Sequence, residues 1–414
     1  MRRREDGKRH FAGKRAAWAL IILSLMLPIA GCWDNRYLDK LGVVIAVGVD
    51  DDPREKMRYQ VTVQVVLPQN AVTGLGGGQG SPVMTLTERG DTLFEAIRKM
   101  TDKTPRRLFF SHTQLLVIGE KIARKGVYPL MDLIERNADI RSDIHVVIAR
   151  NMRAEKLLQI RTQMESIPAT QMKEMVGIDQ TAKGQAFTIT VRNIASTADS
   201  EQKQLTLPSI GIEGDKEAGN TKKNIERIEP EVLPEVSTMA VFREGKLIRY
   251  LTSAQSRGFS WMENKISNTV VKLKCPQSAG YYIVEVSSSK TKLKVEQKQE
   301  EKELPRIFAR IRLDAAVHEV TCAGFDMSDE SHLTDIEKAL NEAVVKEATS
   351  AIEVMQKELK VDALGWGQLI YQNKPELWHR ISGEWKDLFP ELSYKVECIS
   401  HIESTGTRTN SIAK

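Results

Sequence analysis

Much of the chain shows the pattern of hydrophobic and polar positions that is typical of β-strands. Residues 41–50 (LGVVIAVGVD) form a continuous apolar run, and apolar and polar positions alternate through residues 57–67 (MRYQVTVQVVL). Comparable patterns predict further strands at 83–88, 113–119, 144–149, 237–243, 247–251, 269–274, 281–286, 306–320 and 391–402. Runs of this length and alternation predict a protein with a large content of buried or half-buried β-sheet.

Apolar positions spaced three or four residues apart predict helices between these strands. Helices are expected to begin near Thr92 and Pro129, to cover 154–161, 253–265 and 333–359, and to begin again at Pro375. Capping-box patterns at Thr92–Glu95 and Thr334–Glu337 mark two of the helix starts. The runs 113–119 and 144–149, with a helix between them, predict one βαβ unit with parallel strands.

The order of these elements predicts an α+β protein made of three successive mixed α/β domains that follow a lipoprotein signal peptide. The signal peptide is residues 1–31, and the N-terminal mixed α/β domain is 32–200. The middle, hairpin-rich domain is 201–300, with a turn at Glu244-Gly245-Lys246. The C-terminal domain is 301–414, with a long amphipathic helix and a closing strand. Residues 201–234 are predicted to be a boundary region with some short strand, 69–82 a flexible glycine-rich loop, 290–303 a solvated strand or connector, and the tail after Gly406 disordered.

The N-terminal segment has the layout of a secretory leader. Basic residues come first, residues 16–30 carry no charge, and Gly31-Cys32 follow. Ile29-Ala30-Gly31-Cys32 resembles a bacterial lipobox, so we expect cleavage before Cys32 and attachment of a diacylglyceryl group, with chains such as palmitate, to its thiol. Because about 20 apolar residues are needed to span a bilayer, the run is short for a membrane span. The alternative is an uncleaved anchor helix with a cysteine there by chance.

Composition and charge narrow the class of protein. Apolar residues make up 41% of the chain and charged residues 28%, which is typical of a globular protein rather than a disordered or polytopic one. The leader holds seven of the 60 bases and two of the 55 acids, so the rest of the chain carries 53 of each and no net charge. A large nucleic-acid-binding face is therefore not expected.

The usual sequence signs of catalysis, metal binding or cofactor binding are not found. The glycine-rich loop fits neither phosphate-binding motif, and His318-Glu319-Val320-Thr321-Cys322 lies on a predicted strand, where its ends are too far apart to share a zinc ion. His112 and His145 are interpreted as structural. Trp366, Trp378 and Trp385 could anchor a partner, but their helical spacing favours a place in the core. We therefore predict no catalytic residue, no metal ligand and no cofactor.

Three cysteines remain in the mature chain: Cys275, Cys322 and Cys398. No C-x-x-C pair is present, so a zinc site is not supported. One disulfide is possible outside the cytoplasm, but the sequence does not determine the disulfide state. The favoured interpretation is three buried, inert thiols.

Several segments together resemble one family, the Ger(x)C spore-germination lipoproteins, which are the C subunits of nutrient germinant receptors. The segments are Gly31-Cys32-Trp33-Asp34, residues 36–50, 110–120, 136–141, 240–247, Ser256-Arg257-Gly258, Asp362-Ala363-Leu364-Gly365 and the helix with Trp378 and Trp385. They occur in the family's order and cover nearly all of the mature chain. Cys32 is the only residue to which the resemblance assigns a role.

The resemblance implies a non-enzymatic protein of three mixed α/β domains, anchored by lipid to the outer face of the inner spore membrane. It also implies a complex with the integral membrane A and B subunits, which responds to nutrients and triggers germination. The alternative function is a solute-binding lipoprotein of a transporter, which would have two doubly wound lobes. An exported hydrolase is a third class, and it would need a catalytic constellation that the sequence does not show.

Overall fold

The computed structural model describes residue 18 and residues 40–54, 58–68, 80–136, 139–200, 202–275, 279–296, 304–322 and 330–404. Two mixed sheets with helices packed on them make an α+β fold, which confirms the predicted fold class. Within those ranges, no helix is both long enough and apolar enough to cross a bilayer. Cys32, most of the predicted leader, residues 69–79 of the glycine-rich loop and the tail after Gly406 lie outside the described residues.

The first sheet takes its strands from the first 250 residues. They are β1 (Leu41–Asp51), β2 (Tyr59–Val66), β3 (Val83–Gly90), β4 (Arg107–Phe109), β5 (Leu115–Gly119), β6 (His145–Ala149), β7 (Thr206–Gly214), β8 (Val232–Arg243) and β9 (Lys246–Tyr250). The order across the sheet is β3-β2-β1-β5-β6-β7-β8-β9, and β4 also pairs with β1. β1, β5, β6 and β7 are parallel, which confirms the predicted βαβ unit, and antiparallel strands complete both sides.

Seven helices in the described chain accompany this sheet. They are α1 (Leu93–Lys99), α2 (Glu120–Lys125), α3 (Tyr128–Glu135), α4 (Ala154–Leu158), α5 (Pro168–Ala182), α6 (Val191–Ala198) and α7 (Lys223–Glu226). One apolar core lies between the sheet and α1, α2, α3 and α6, and a second lies between the opposite face and α4 and α5. Because β1 and β5 are covered on both faces, they read as continuous apolar runs.

The second sheet is formed by the C-terminal part of the chain. Its strands are β10 (Thr269–Lys274), β11 (Tyr281–Glu296), β12 (Arg306–Val320) and β13 (Ser393–Ser404), in that order across the sheet. β10, β11 and β12 are antiparallel, and β13 is parallel to β12. The helices are α8 (Ser253–Met262), α9 (Glu330–Glu353, continued by a π-helical turn Val354–Leu359), α10 (Trp366–Asn373), α11 (Pro375–Ile381) and α12 (Trp385–Leu388).

The two sheets share one apolar core through the packing of α8 against α9. Gly258 of α8 lies so close to α9 that a Cβ there would be 2.0 Å from the carbonyl oxygen of Glu347. Beside it, Arg257 Nε donates to Glu347 Oε2 at 2.9 Å, and Trp261 Nε1 donates to the same oxygen at 3.1 Å. The continuous core extends from Phe187 and Val241 of the first half to the strands of the second sheet.

Several details differ from the sequence-based predictions. Thr334 does not cap α9, because that helix already begins at Glu330. The helix predicted from Pro375 is two short helices with a 3₁₀ turn, Ser382–Glu384, between them. The region 201–234, predicted as a boundary, contains β7, which pairs with β6 in the first sheet. The division into 32–200, 201–300 and 301–414 stays a prediction.

Candidate functional site

Open α/β sheets usually bind ligands at the carboxyl ends of their parallel strands. Asp50 ends β1 there, and Asn151 and Arg153 follow β6. The two carboxylate oxygens of Asp50 accept hydrogen bonds from the backbone N–H groups of Ala154 and Glu155, both at 2.9 Å. Arg153 donates to Asp51 at 3.3 Å. Asp50 therefore caps α4, and its contacts give it a structural role.

Glu120, at the start of α2, has a similar role. Its Oε2 atom accepts from the backbone N–H of Asn151 at 2.7 Å and from the hydroxyl of Tyr250 at 3.1 Å, while Arg124 pairs with Oε1 at 2.7 Å. Burial opposes the ionisation of Glu120, but these donors outweigh burial, and the pKa of the carboxyl is lowered. Burial, together with the charge of Glu120, raises the pKa of Tyr250. The group joins β9 to the parallel strands and keeps its charge at neutral pH.

An apolar cavity of about 300 Å³ lies between α1, α3 and the first sheet. Its walls include Val47, Leu116, Ile134 and Ile144, and the half-exposed ring of Phe94 stands at its mouth. The polar residues of the lining are Thr113 and Arg136. The hydroxyl of Thr113 donates to the carbonyl oxygen of Val44 at 3.3 Å. Arg136 pairs with Asp132 at 2.9 Å. This volume is at the lower end of small-molecule sites, and both polar groups already have partners.

A larger cleft of about 1050 Å³ borders the start of β3, the segment that precedes α5, and the residues on and around α7. Four apolar side chains at this cleft are exposed to solvent: Met84 at 38%, Ile225 at 40%, Met164 at 90% and Ile228 at 103%. The start of β3 pairs with the end of β2, and the end of β2 pairs with the beginning of β1. The cleft is therefore near the amino-terminal end of β1, the strand that follows Cys32 in the sequence.

The favoured prediction for the cysteines is wrong for two of the three. Cys275 and Cys322 form a disulfide bond. They are 47 residues apart in the sequence, but β10 and β12 both pair with β11, and this topology brings the two residues that follow them together. Burial raises the pKa of Cys398 to about 12, which keeps this half-buried free thiol protonated at neutral pH. Because the sulfur of Cys322 forms this disulfide, Cys322 has no thiolate with which to share a zinc ion with His318.

The prediction that the three tryptophans lie in the core is confirmed, and the structural interpretation of the two histidines stays a prediction. Trp366, Trp378 and Trp385 are buried, and the rings of Trp378 and Trp385 meet edge to face with centroids 5.3 Å apart. His112 contacts the ring of Phe109, and His145 lies at the start of β6. Among the residues that the structure describes, no group of three or more histidine, cysteine, aspartate or glutamate side chains could hold a metal ion.

Known proteins resemble this chain over nearly its whole length. Spore germination protein KC of Bacillus subtilis (strain 168) is 29% identical over 405 residues, which cover 96% of this chain and 98% of that protein. Spore germination protein GerQC of Bacillus cereus is 20% identical over 94% of this chain and 98% of its own length. The crystal structure of the GerBC protein superposes with a TM-score of 0.54 at 17% identity, covering 86% of this chain and 96% of that one.

Two family models match successive parts of the sequence. The family described as "Spore germination protein N-terminal domain" matches residues 34–212. The family described as "Spore germination B3/ GerAC like, C-terminal" matches residues 237–406. Together these matches cover well over half of the chain, in the order expected from the sequence. The protein is therefore a spore germination protein of the Ger(x)C family.

Proposed function

We propose that this protein is the lipid-anchored, non-enzymatic C subunit of a nutrient germinant receptor. In this proposal it acts with the membrane A and B subunits at the outer face of the inner spore membrane to trigger germination. The observation that carries the proposal is the family match across both halves of the chain. The lipobox-like sequence Ile29-Ala30-Gly31-Cys32, at the junction of the predicted leader and the mature chain, supports the lipid anchor.

The distance between Cys32 and the fold supports a membrane-proximal position. Lys40 immediately precedes β1, eight residues after Cys32. An extended chain advances about 3.3–3.6 Å per residue, so this link reaches roughly 28 Å at most. A diacylglyceryl group on Cys32 would keep the amino-terminal edge of β1, and the cleft with Met164 and Ile228, close to the headgroups and to integral partners. Confinement of this kind raises the effective concentration of partners, so that modest interfaces suffice.

The disulfide supports a location outside the cytoplasm. Cytosolic proteins of mesophiles rarely keep a structural disulfide, whereas exported proteins commonly do. The Cys275–Cys322 bond agrees with a chain that the leader directs across the membrane. It also agrees with an assembly on the outer face.

The fold favours the receptor subunit over the transporter alternative. A solute-binding lipoprotein would have two doubly wound lobes, each with repeated βαβ units. In the described residues, the parallel run is confined to the first sheet, and the second sheet has three antiparallel strands and one parallel strand. Calorimetry of the purified protein with amino acids and sugars tests the alternative, because tight binding by this protein alone would favour a solute-binding lipoprotein.

Replacement of the predicted acyl acceptor tests the proposal. We expect Cys32→Ala to leave the fold intact, to release the protein from the spore membrane fraction by at least about tenfold, and to reduce nutrient-triggered germination. Mass spectrometry of the native protein should show the diacylglyceryl mass on Cys32, and the A and B subunits should co-purify with it. Cys398→Ala is the matched control and should remain in the membrane fraction. A native protein with a bare Cys32 thiol and an uncleaved leader would refute the proposal.

A further inference from the structure

The second sheet has one face covered by the core and one face open to solvent. Ile307, Ile311 and Leu313 of β12 point into the core shared with α9. The alternate positions on β11, β12 and β13 point outward. Two rows of this face, Glu296–Arg306–Ser393 and Ser288–Asp314–His401, carry one cation and two carboxylates, and they flank three central rows. The central rows are Lys294–Phe308–Lys395, Lys292–Arg310–Glu397 and Lys290–Arg312–Ile399, and we call them the basic sheet face.

The basic sheet face carries six cations and one carboxylate, a net charge of +5. This local excess is notable because the mature chain as a whole is neutral. Glu397 is the single acid of the three rows, and it contacts both Arg310 and Lys395. Within these rows, Glu397 forms no ion pair with the three lysines of β11.

The register places like charges directly opposite each other. Lys290 faces Arg312, and Lys292 faces Arg310, across neighbouring strands. Like charges at directly opposed positions destabilise a sheet, so this arrangement is unfavourable in isolation. An anion that binds over the pairs would offset the repulsion.

Two cations of the basic sheet face lie over the buried ring of Phe308. The guanidinium of Arg310 lies 5.1 Å from the ring centre, and the ammonium of Lys395 lies 5.8 Å from it. Both side chains remain partly exposed, so their charges are open to solvent as well as to the ring. The lysines of β11 and the arginines of β12 border a shallow groove of about 340 Å³.

We propose that the basic sheet face binds the anionic phospholipid surface of the membrane, an inference that rests on the proposed lipid anchor. Strands are about 4.8 Å apart and alternate residues about 6.8 Å apart, so the cations form a two-dimensional array that suits a layer of phosphate headgroups. Lysine ammonium groups on flexible stems bind phosphate without strict directionality. The polybasic surface would add an electrostatic attraction to the hydrophobic attachment that the diacylglyceryl group supplies.

Vesicle binding by the non-acylated protein separates this proposal from the lipid anchor. The protein used begins at residue 32, carries Cys32→Ala, and retains all three apolar cores, which lie within residues 44–402. We expect it to sediment with vesicles that contain one-third phosphatidylglycerol at least about tenfold better than with pure phosphatidylcholine, and to be released by high salt.

A double charge reversal identifies the surface. Lys290→Glu with Lys292→Glu should lower binding to anionic vesicles at least about tenfold. The reversal converts both cross-strand pairs into opposite charges, so the urea midpoint measured by tryptophan emission should not fall. Lys121→Glu with Lys125→Glu, on exposed residues of α2, changes the net charge equally and should bind as the parent does. Absence of binding to anionic vesicles would overturn the proposal, and it is the result expected if the basic sheet face binds an acidic protein instead. Equal binding by the parent and by the variant with Lys290→Glu and Lys292→Glu would also overturn it.

Discussion

Asp362 shows how a single buried carboxylate organises the C-terminal helices. Its oxygens accept from the backbone N–H groups of Trp366 at 3.0 Å and Gly367 at 2.7 Å, and from the indole N–H of Trp385 at 3.2 Å. The residue thus fixes the start of α10 and holds α12 beside it. Burial raises the pKa of Asp362 to about 6, although these three donors and the charge of Lys203 act in the opposite direction.

The raised pKa makes stability depend on pH. The folded state holds a proton on Asp362 that the unfolded state has lost between about pH 4 and pH 6, so this residue's contribution to stability declines as pH rises through that interval. Two pKa units correspond to on the order of 3 kcal/mol. Asp362→Asn removes the titration, so its destabilisation relative to the parent should be largest near pH 4 and should shrink by about that amount at pH 7.

Urea unfolding at several pH values between these limits measures the difference. The control is Asp387→Asn on α12, where the carboxylate is exposed and the difference from the parent should stay within about 0.5 kcal/mol at every pH. A difference for Asp362→Asn that does not change with pH would contradict the expected proton linkage.

At this scale the sequence indicated which residues were unusual but not what they do. Ser256-Arg257-Gly258 and Asp362-Ala363-Leu364-Gly365 stood out by resemblance alone. Their roles depend on partners far away in the chain: Gly258 on Glu347, Arg257 on the same residue, and Asp362 on Trp385. Such contacts are created by tertiary packing, so local periodicity holds no information about them. The β11 part of the basic sheet face was likewise predicted only as a solvated strand or connector. The residues of β12 and β13 that complete this face lie elsewhere in the sequence.

Elements were predicted best where burial imposes a strict period. β1, β6, β10 and β12 were predicted close to their observed ends, whereas β4 was not predicted and β11 extends to Glu296 rather than ending at Val286. The turn at Glu244-Gly245 was also predicted. This turn has positive φ at both residues, 51° and 75°, as a two-residue hairpin requires. Helix ends were predicted less well, because a capping residue and the continuing apolar periodicity of the helix can indicate different ends. Thr334 resembles a cap, yet α9 extends one turn further and its apolar side, including Ile336 and Leu340, is buried.

The contact of α8 with α9 leads to a prediction about glycine. Alanine favours helix over glycine by about 1 kcal/mol, so propensity alone would predict that Gly258→Ala is stabilising. Here the new Cβ would lie 2.0 Å from the Glu347 carbonyl oxygen, and the backbone of α9 would have to move. We therefore expect Gly258→Ala to lower the free energy of unfolding by about 2 kcal/mol or more, measured by urea titration.

Gly177 provides the matched control inside a helix. It lies in α5, and a Cβ at that position would have no neighbour within 4 Å. Gly177→Ala should raise the free energy of unfolding by up to about 1 kcal/mol. If both substitutions stabilised the protein, α8 and α9 would not be packed as closely as the structure has them.

At the scale of the whole molecule, the two halves are joined by one core rather than by a linker. The matches to the family models end at residue 212 and resume at 237, yet β7 and β8, which contain these limits, pair with each other in the first sheet. Phe187, Met239 and Val241 belong to the same core as the strands of the second sheet. Lys203 and Glu263 add an ion pair at 2.6 Å across the same region.

This arrangement predicts that both halves unfold together. The buried tryptophans Trp261, Trp366, Trp378 and Trp385 all lie in the C-terminal half, so their emission reports the unfolding of that half. Hydrogen exchange of the β5 amides reports the N-terminal half. Because the shared core must be broken in either case, both probes should give the same urea midpoint in the parent protein, and Gly258→Ala should lower both midpoints equally. Two separate midpoints in the parent protein would mean that the halves are independent domains and that the contact between α8 and α9 contributes little to stability.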